Sequence, residues 1–91
     1  MSQRQKFLAQ LLAARNASTL SFLTLCSLLR AMGFAERVRG SHHIYTKEGV
    51  EEIINLQPAP GGTVKPYQAK QVREILIRYQ LTDHGQDDPE S

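Results

Sequence analysis

The stretch Arg37-Val38-Arg39-Gly40-Ser41-His42-His43-Ile44-Tyr45-Thr46-Lys47 decides the fold, because it reads as two short strands with a turn between them. Gly40-Ser41 suits the turn, and the β-branched and aromatic residues that follow favour a strand. Side chains alternate along a strand, so His42 shares one face with Ile44 while His43 shares the other with Tyr45. The two histidines are therefore alternatives for one role rather than a pair that acts together.

Helical periodicity lies on both sides of this stretch. Apolar residues at spacings of three and four predict helices over residues 3–15 and 21–32 and from Pro66 onward. Gly33 stands where the left-handed residue after a helix belongs. The sequence thus predicts two helices before the strands and one after them.

Three strands are predicted between the second and third helices. Extended patterns cover residues 34–39, 43–46 and 51–56, and Gly49 suits a positive φ in the second turn. Strands joined by such short links form an antiparallel meander. Its apolar face must be buried, and the predicted helices are available to pack on it. The predicted class is therefore α+β, a three-stranded antiparallel sheet covered by helices, in the order α-α-β-β-β-α.

The 91-residue chain has a net charge of +2 that is unevenly distributed. Residues 1–81 carry eleven bases against five acids, whereas residues 82–91 carry four acids and no Lys or Arg. A basic body suits a polyanion or an acidic protein as its partner. The acidic tail over residues 82–91 shows no apolar periodicity and is expected to be disordered.

Composition also indicates the cellular compartment and the redox environment expected for the chain. No apolar run reaches the roughly 18 residues of a membrane span, and the N-terminus is polar, so a cytoplasmic protein without a membrane partner is expected. The one cysteine, Cys26, excludes an internal disulfide and is expected to be a buried small hydrophobe.

Residues near Gly40 combine a proton carrier with phosphate binders. Cleavage of RNA without a metal needs a base for the 2′-hydroxyl, an acid for the departing 5′-oxygen and cations for the charge on phosphorus. Histidine and arginine or lysine suit these roles. The candidate for proton transfer is either His42 or His43, and the candidates for RNA binding are Arg37, Arg39, Ser41, Tyr45, Lys47, Lys65 and Lys70. For each cation the alternative is a solvated surface charge. For Tyr45, stacking on a base and a half-buried place in the strand are equally natural.

No metal or cofactor is expected. No Asp, Glu or Cys accompanies the histidines at a recognised ligand spacing. Gly61-Gly62-Thr63 lacks the spacing of a nucleotide-binding loop, so no small-molecule cofactor is predicted.

Three segments stand in a distinctive order along the chain. They are Leu28-Leu29-Arg30-Ala31-Met32-Gly33-Phe34, Arg39-Gly40-Ser41-His42-His43-Ile44-Tyr45 and Lys65-Pro66-Tyr67-Gln68-Ala69-Lys70-Gln71-Val72-Arg73. This helix-Gly-Phe step, Gly-Ser-His strand and distal basic helix resemble the HicA toxins of bacterial HicA–HicB toxin–antitoxin pairs. The resemblance covers roughly residues 21–81.

The resemblance implies a double-stranded-RNA-binding-domain-like fold, α-β-β-β-α, over residues 21–81, preceded by an additional helix within residues 1–20. It also implies a metal-independent endoribonuclease that cleaves mRNA, arrests translation and is held inactive by a HicB-type antitoxin. The family's essential histidine follows Gly-Ser, which places it at His42 here, with His43 as the second candidate. We expect the additional helix to extend the chain's own core; the alternative is a docking surface.

One departure from the family pattern concerns the second proton carrier. Many members have a Pro and a His just after the third strand, whereas this chain has Pro58 and no histidine there. The second carrier is then His43, Tyr45 or a lysine. Two further hypotheses are a non-catalytic RNA-binding module and a protein-interaction domain with a basic docking face.

Overall fold

The computed structural model describes residues 3–13 and 20–81. Its elements in chain order are α1 (Gln3–Ala13), α2 (Phe22–Ala31), β1 (Ala35–Arg39), β2 (His42–Lys47), β3 (Val50–Leu56) and α3 (Pro66–Arg78). The predicted class and element order are confirmed. Predictions for residues 14 and 15 and for the acidic tail over 82–91 fall outside the described residues.

The strands form one antiparallel sheet in the order β1-β2-β3. Arg39 pairs with His42, so β2 begins one residue earlier than predicted and Gly40-Ser41 is a two-residue turn. Gly40 has a φ of 60°, which suits the first central position of a type II′ turn. At the other end of β2, Lys47 pairs with Val50, and Gly49 takes the predicted positive φ.

Helix α2 has defined signals at both ends. The Ser21 hydroxyl accepts a hydrogen bond from the backbone N–H of Thr24 at 3.2 Å, which caps the helix start. At the other end the Gly33 N–H donates to Arg30 and the Phe34 N–H donates to Leu29, each at 3.0 Å. These two bonds and the positive φ of Gly33 form a Schellman motif, as the Gly at this position predicted.

The core lies between the helices and one face of the sheet. Tyr45 of β2 and Ile54 and Leu56 of β3 are fully buried, together with apolar side chains of α2 and α3. Helix α1 packs against both α2 and α3, and its Phe7, Leu8 and Leu11 join the same core, which confirms the preferred role of this helix. No helix within the described residues is long and apolar enough to cross a membrane.

Candidate active site

Within the described residues one face of the sheet is left open, because α3 and Phe22 of α2 pack on the other face, where Tyr45 and Ile54 are buried. Strand register brings Arg37 opposite Ile44, Arg39 opposite His42 and Ile44 opposite Asn55. Directly paired residues share a face with Cβ atoms roughly 5 Å apart. The open sheet face therefore carries Arg37, Arg39, His42, Ile44 and Asn55, and the two arginines and His42 are exposed.

His42 is held by a neighbour on the adjacent strand. Its Nδ1 lies 3.1 Å from Oδ1 of Asn55. An amide oxygen only accepts, so in the neutral ring Nδ1 carries the hydrogen and Nε2 keeps its lone pair. Asn55 thus selects a tautomer that leaves Nε2 available to take a proton.

The turn beside His42 is tied to the start of α3 through Gln57. The Gln57 side-chain amide donates to the Ser41 hydroxyl at 2.8 Å, and the Gln57 backbone N–H donates to Oε1 of buried Gln68 at 3.4 Å. This connection fixes Ser41 and brings the first turn of α3 to the same end of the sheet. Lys65, half-buried, and Lys70, exposed, belong to that end of α3.

His43 lies on the covered face of the sheet, as strand alternation predicted. Its ring packs edge-on against Phe22 with centroids 5.1 Å apart. Its Nδ1 is 3.6 Å from Oε2 of Glu36, is buried and has no hydrogen-bond partner among the described residues. The two histidines are therefore separated by the sheet.

The expectation that Tyr45 stacks on a base is contradicted. The side chain is completely buried, and its hydroxyl donates to Oε2 of Glu36 at 2.5 Å. Burial, and then a hydrogen bond with Cys26, raise the pKa of Tyr45. The Tyr45 hydroxyl in turn does most to hold the pKa of Glu36 below its ordinary value, with help from Arg30. Tyr45 is a core residue with a polar partner.

Lys47 also lies away from the open face. It is five residue steps along the strand from His42, a distance of about 17 Å. Its Nζ stands 6.0 Å from the centre of the Phe34 ring, at the end of α2. Of the predicted RNA-binding residues, Arg37, Arg39 and Ser41 thus accompany His42, and Lys65 and Lys70 lie at the same end of the molecule.

Two features were missed by reasoning from the sequence. Asn55 and Gln57 were not singled out, because only the strand register shows that they reach His42 and Ser41. The second feature is a group on the covered face: the ligand atoms of Cys26, Glu36 and His43 lie within 4.8 Å of one another. Spacing along the chain gave no sign of it, since Cys26 arrives from a helix.

Comparison with models of known protein families gives a match. The family model described as HicA toxin of bacterial toxin–antitoxin matches residues 24–79. That range holds most of α2, the whole sheet and α3, and it begins after α1. Neither a search of curated proteins nor a search of solved structures gave a significant match.

Proposed function

Because the chain belongs to the HicA toxin family, we propose that it is a metal-independent endoribonuclease that cleaves mRNA with His42 as its general acid or base. As a family member it is the toxin of a toxin–antitoxin system with an antitoxin as its partner. The observation that carries the nuclease proposal is His42 itself: exposed on the open sheet face, paired with Arg39 and oriented by Asn55.

Nε2 of His42 takes the proton of the RNA 2′-hydroxyl when the ring is neutral. The 2′-oxygen then forms a bond to the adjacent phosphorus, and the bond from phosphorus to the 5′-oxygen breaks. The 5′-oxygen leaves with a proton, so the products are a 2′,3′-cyclic phosphate and a 5′-hydroxyl. A positioned histidine contributes about 10²–10⁴-fold to such a proton transfer.

Arg39 supplies the positive charge nearest to this reaction. It stands directly across from His42, where a guanidinium can hold a phosphate through two parallel hydrogen bonds. Arg37 is two residues earlier on the same face and follows the RNA backbone, while Lys65 and Lys70 extend the basic surface at that end of the molecule. Charge that builds on the phosphoryl oxygens is therefore met by fixed cations.

The second proton comes from a lysine or from water. His43 and Tyr45 were the other candidates, but both face the helices and lie across the sheet from the phosphate. Among the described histidines, His42 is then the one that carries a proton step on the open face. A HicB-type antitoxin that covers this face would block both the histidine and the arginines.

Growth and RNA integrity after induction in bacteria test the proposal. Wild type is expected to arrest growth and to fragment mRNA, and co-expression of its antitoxin is expected to restore growth. His42→Ala is expected to relieve the arrest at the same protein level. Arrest with intact mRNA would refute cleavage and favour a non-catalytic RNA-binding or protein-binding toxin.

A further inference from the structure

A group of polar side chains lies between α2 and the covered face of the sheet, with Cys26 buried, His43 half-buried and Glu36 at the exposed edge. Cys26 comes from α2, Glu36 from β1 and His43 from β2, and their ligand atoms lie within 4.8 Å of one another. A thiol, a carboxylate and an imidazole are the three side chains that bind Zn²⁺ in proteins. The reaction proposed for His42, on the other side of the sheet, uses none of them.

The spacing of these atoms is close to that of a tetrahedral zinc site. Bonds of about 2.0–2.3 Å to zinc place neighbouring ligand atoms roughly 3.4–3.7 Å apart. His43 Nδ1 lies 3.6 Å from Oε2 of Glu36, so the carboxylate group is within reach of an ion bound to the imidazole. No pair exceeds 4.8 Å, so side-chain movements of about 1 Å bring all three to bonding distance.

His43 adds a second observation on this group, since Oε2 of Glu36 stands 3.6 Å from its Nδ1, beyond hydrogen-bond distance. Its Nδ1 is buried and makes no hydrogen bond among the described residues. Leaving a buried nitrogen without a hydrogen-bond partner is unfavourable, and proteins usually avoid it. A metal ion bonded to Nδ1 would remove that cost.

The neighbours of Glu36 are suited to hold a metal-binding carboxylate. Arg30 donates to its Oε2 at 2.9 Å and the Tyr45 hydroxyl donates to the same atom. Because these two donors occupy Oε2, they orient the carboxylate and leave its other oxygen, Oε1, for the metal. The side chains of Glu36 and His43 are 21% and 23% exposed, which leaves a route for an ion and room for a water ligand.

We propose that Cys26, Glu36 and His43 bind one Zn²⁺ ion, with water as the fourth ligand. Binding exchanges the Cys26 proton for the metal and releases that proton to solvent, because the ligand is the thiolate. The ion joins α2 to β1 and β2, so its role is structural, and RNA cleavage at His42 does not require it.

Zinc binding by the metal-free full-length protein is the direct test, measured by competition with a chromogenic chelator. One ion per chain is expected, and Co²⁺ in its place should give thiolate-to-cobalt absorption in the near ultraviolet. Replacing outer partners of metal ligands costs about 10–100-fold in affinity, so Cys26→Ser and His43→Asn, which remove direct ligands, should each cost at least as much. Zinc should also raise the melting temperature of the wild type.

The matched control is a double variant, His42→Asn with His84→Asn, which removes the other two histidines of the chain. It should bind zinc as the wild type does. Circular dichroism of Cys26→Ser, a change of one atom, establishes that the variant is folded. Absence of binding, or equal affinity in wild type and Cys26→Ser, would overturn the proposal, as would loss of binding in the double variant.

Discussion

At the scale of single residues, Tyr45 and Glu36 form a polar contact at the edge of the core, where the ring of Tyr45 is buried and Glu36 reaches solvent. The Tyr45 hydroxyl keeps the pKa of Glu36 below its ordinary value because it donates to the charged form. A carboxyl whose pKa is lower when folded stabilises the protein above its unfolded pKa. That contribution is lost as the pH falls through the lower, folded value.

Tyr45→Phe should therefore lower the free energy of unfolding by about 1.5–3 kcal/mol at neutral pH, the range for hydrogen bonds to charged groups. The difference from wild type should shrink as the pH falls below about 4.5, the ordinary value for Glu36, because the protonated carboxyl no longer needs the donor. Urea unfolding at several pH values, with a chelator present, measures this. Tyr67→Phe, at a side chain 67% exposed, is the matched control and should stay near zero. A loss that is independent of pH would contradict the coupling to Glu36.

Asn55 is a positioning residue for His42, and its effect should appear in the reaction rate. Asn55→Ala removes one hydrogen bond, worth about 1 kcal/mol, so kcat should fall roughly fivefold with little change in KM. Asn55→Asp keeps an acceptor for Nδ1–H and should recover the rate. The new Asp carboxylate favours the protonated ring of His42. The part of the pH–rate profile that depends on this ring should therefore move to higher pH in Asn55→Asp. Equal rates in wild type and Asn55→Ala would show that the contact is incidental.

At the scale of elements, the end of α2 determines how the chain enters the sheet. Gly33 has a φ of 98°, and a Cβ there would meet only the flexible end of Lys47, whose Nζ would be 2.8 Å away. The backbone conformation rather than lack of space therefore requires glycine. The Schellman bonds from Gly33 and Phe34 depend on that conformation.

Gly33→Ala should cost about 1–2 kcal/mol in the free energy of unfolding, the penalty of a left-handed L-residue. Lys47→Ala made in the same background should rescue little of it, because the lysine can move aside. A double-mutant cycle by chemical denaturation gives both values. Full rescue by Lys47→Ala would show that crowding, and not φ, is the cause.

The elements were predictable where local signals were strong. Gly33 and Gly49 identified the two turns they occupy, and alternation placed His42 and His43 on opposite faces. Register was not predictable from local pattern, because it depends on pairing between distant residues. For this reason Asn55 was missed, and the start of β2 was placed at His43 instead of His42.

Contacts between helices and strands could not be predicted from the sequence either. Tyr45 carries a ring suited to stacking on a base, but the helices close over its face and bury it completely. The same closure brings Cys26 to Glu36 and His43, a contact between a helix and two strands that no spacing along the chain encodes.

At the scale of the whole molecule, α1 is part of the core although the family match starts after it. Leu11 is fully buried, and α1 packs on both α2 and α3. Burial of one leucine side chain contributes about 1.5–3 kcal/mol. The additional helix thus stabilises α2 and α3, which lie on the side of the sheet opposite the open face.

Leu11→Ala should lower the free energy of unfolding by about 2–5 kcal/mol, because it leaves a cavity between three helices. Leu23→Ala makes the same chemical change at a side chain 73% exposed and should stay within about 0.5 kcal/mol of wild type. Urea unfolding of the two variants compares them directly. Similar losses would mean that α1 does not join the core.

The placement of catalysis on the open sheet face is tested most directly by the single-turnover rate of RNA cleavage with a chelator present. His42→Ala should be slower than wild type by about 10²–10⁴-fold, the usual contribution of a general acid or base. His43→Ala, one residue away on the covered face, should stay within about tenfold of wild type. A His42→Ala protein that is folded and cleaves at the wild-type rate would contradict the assignment of this face as the active site.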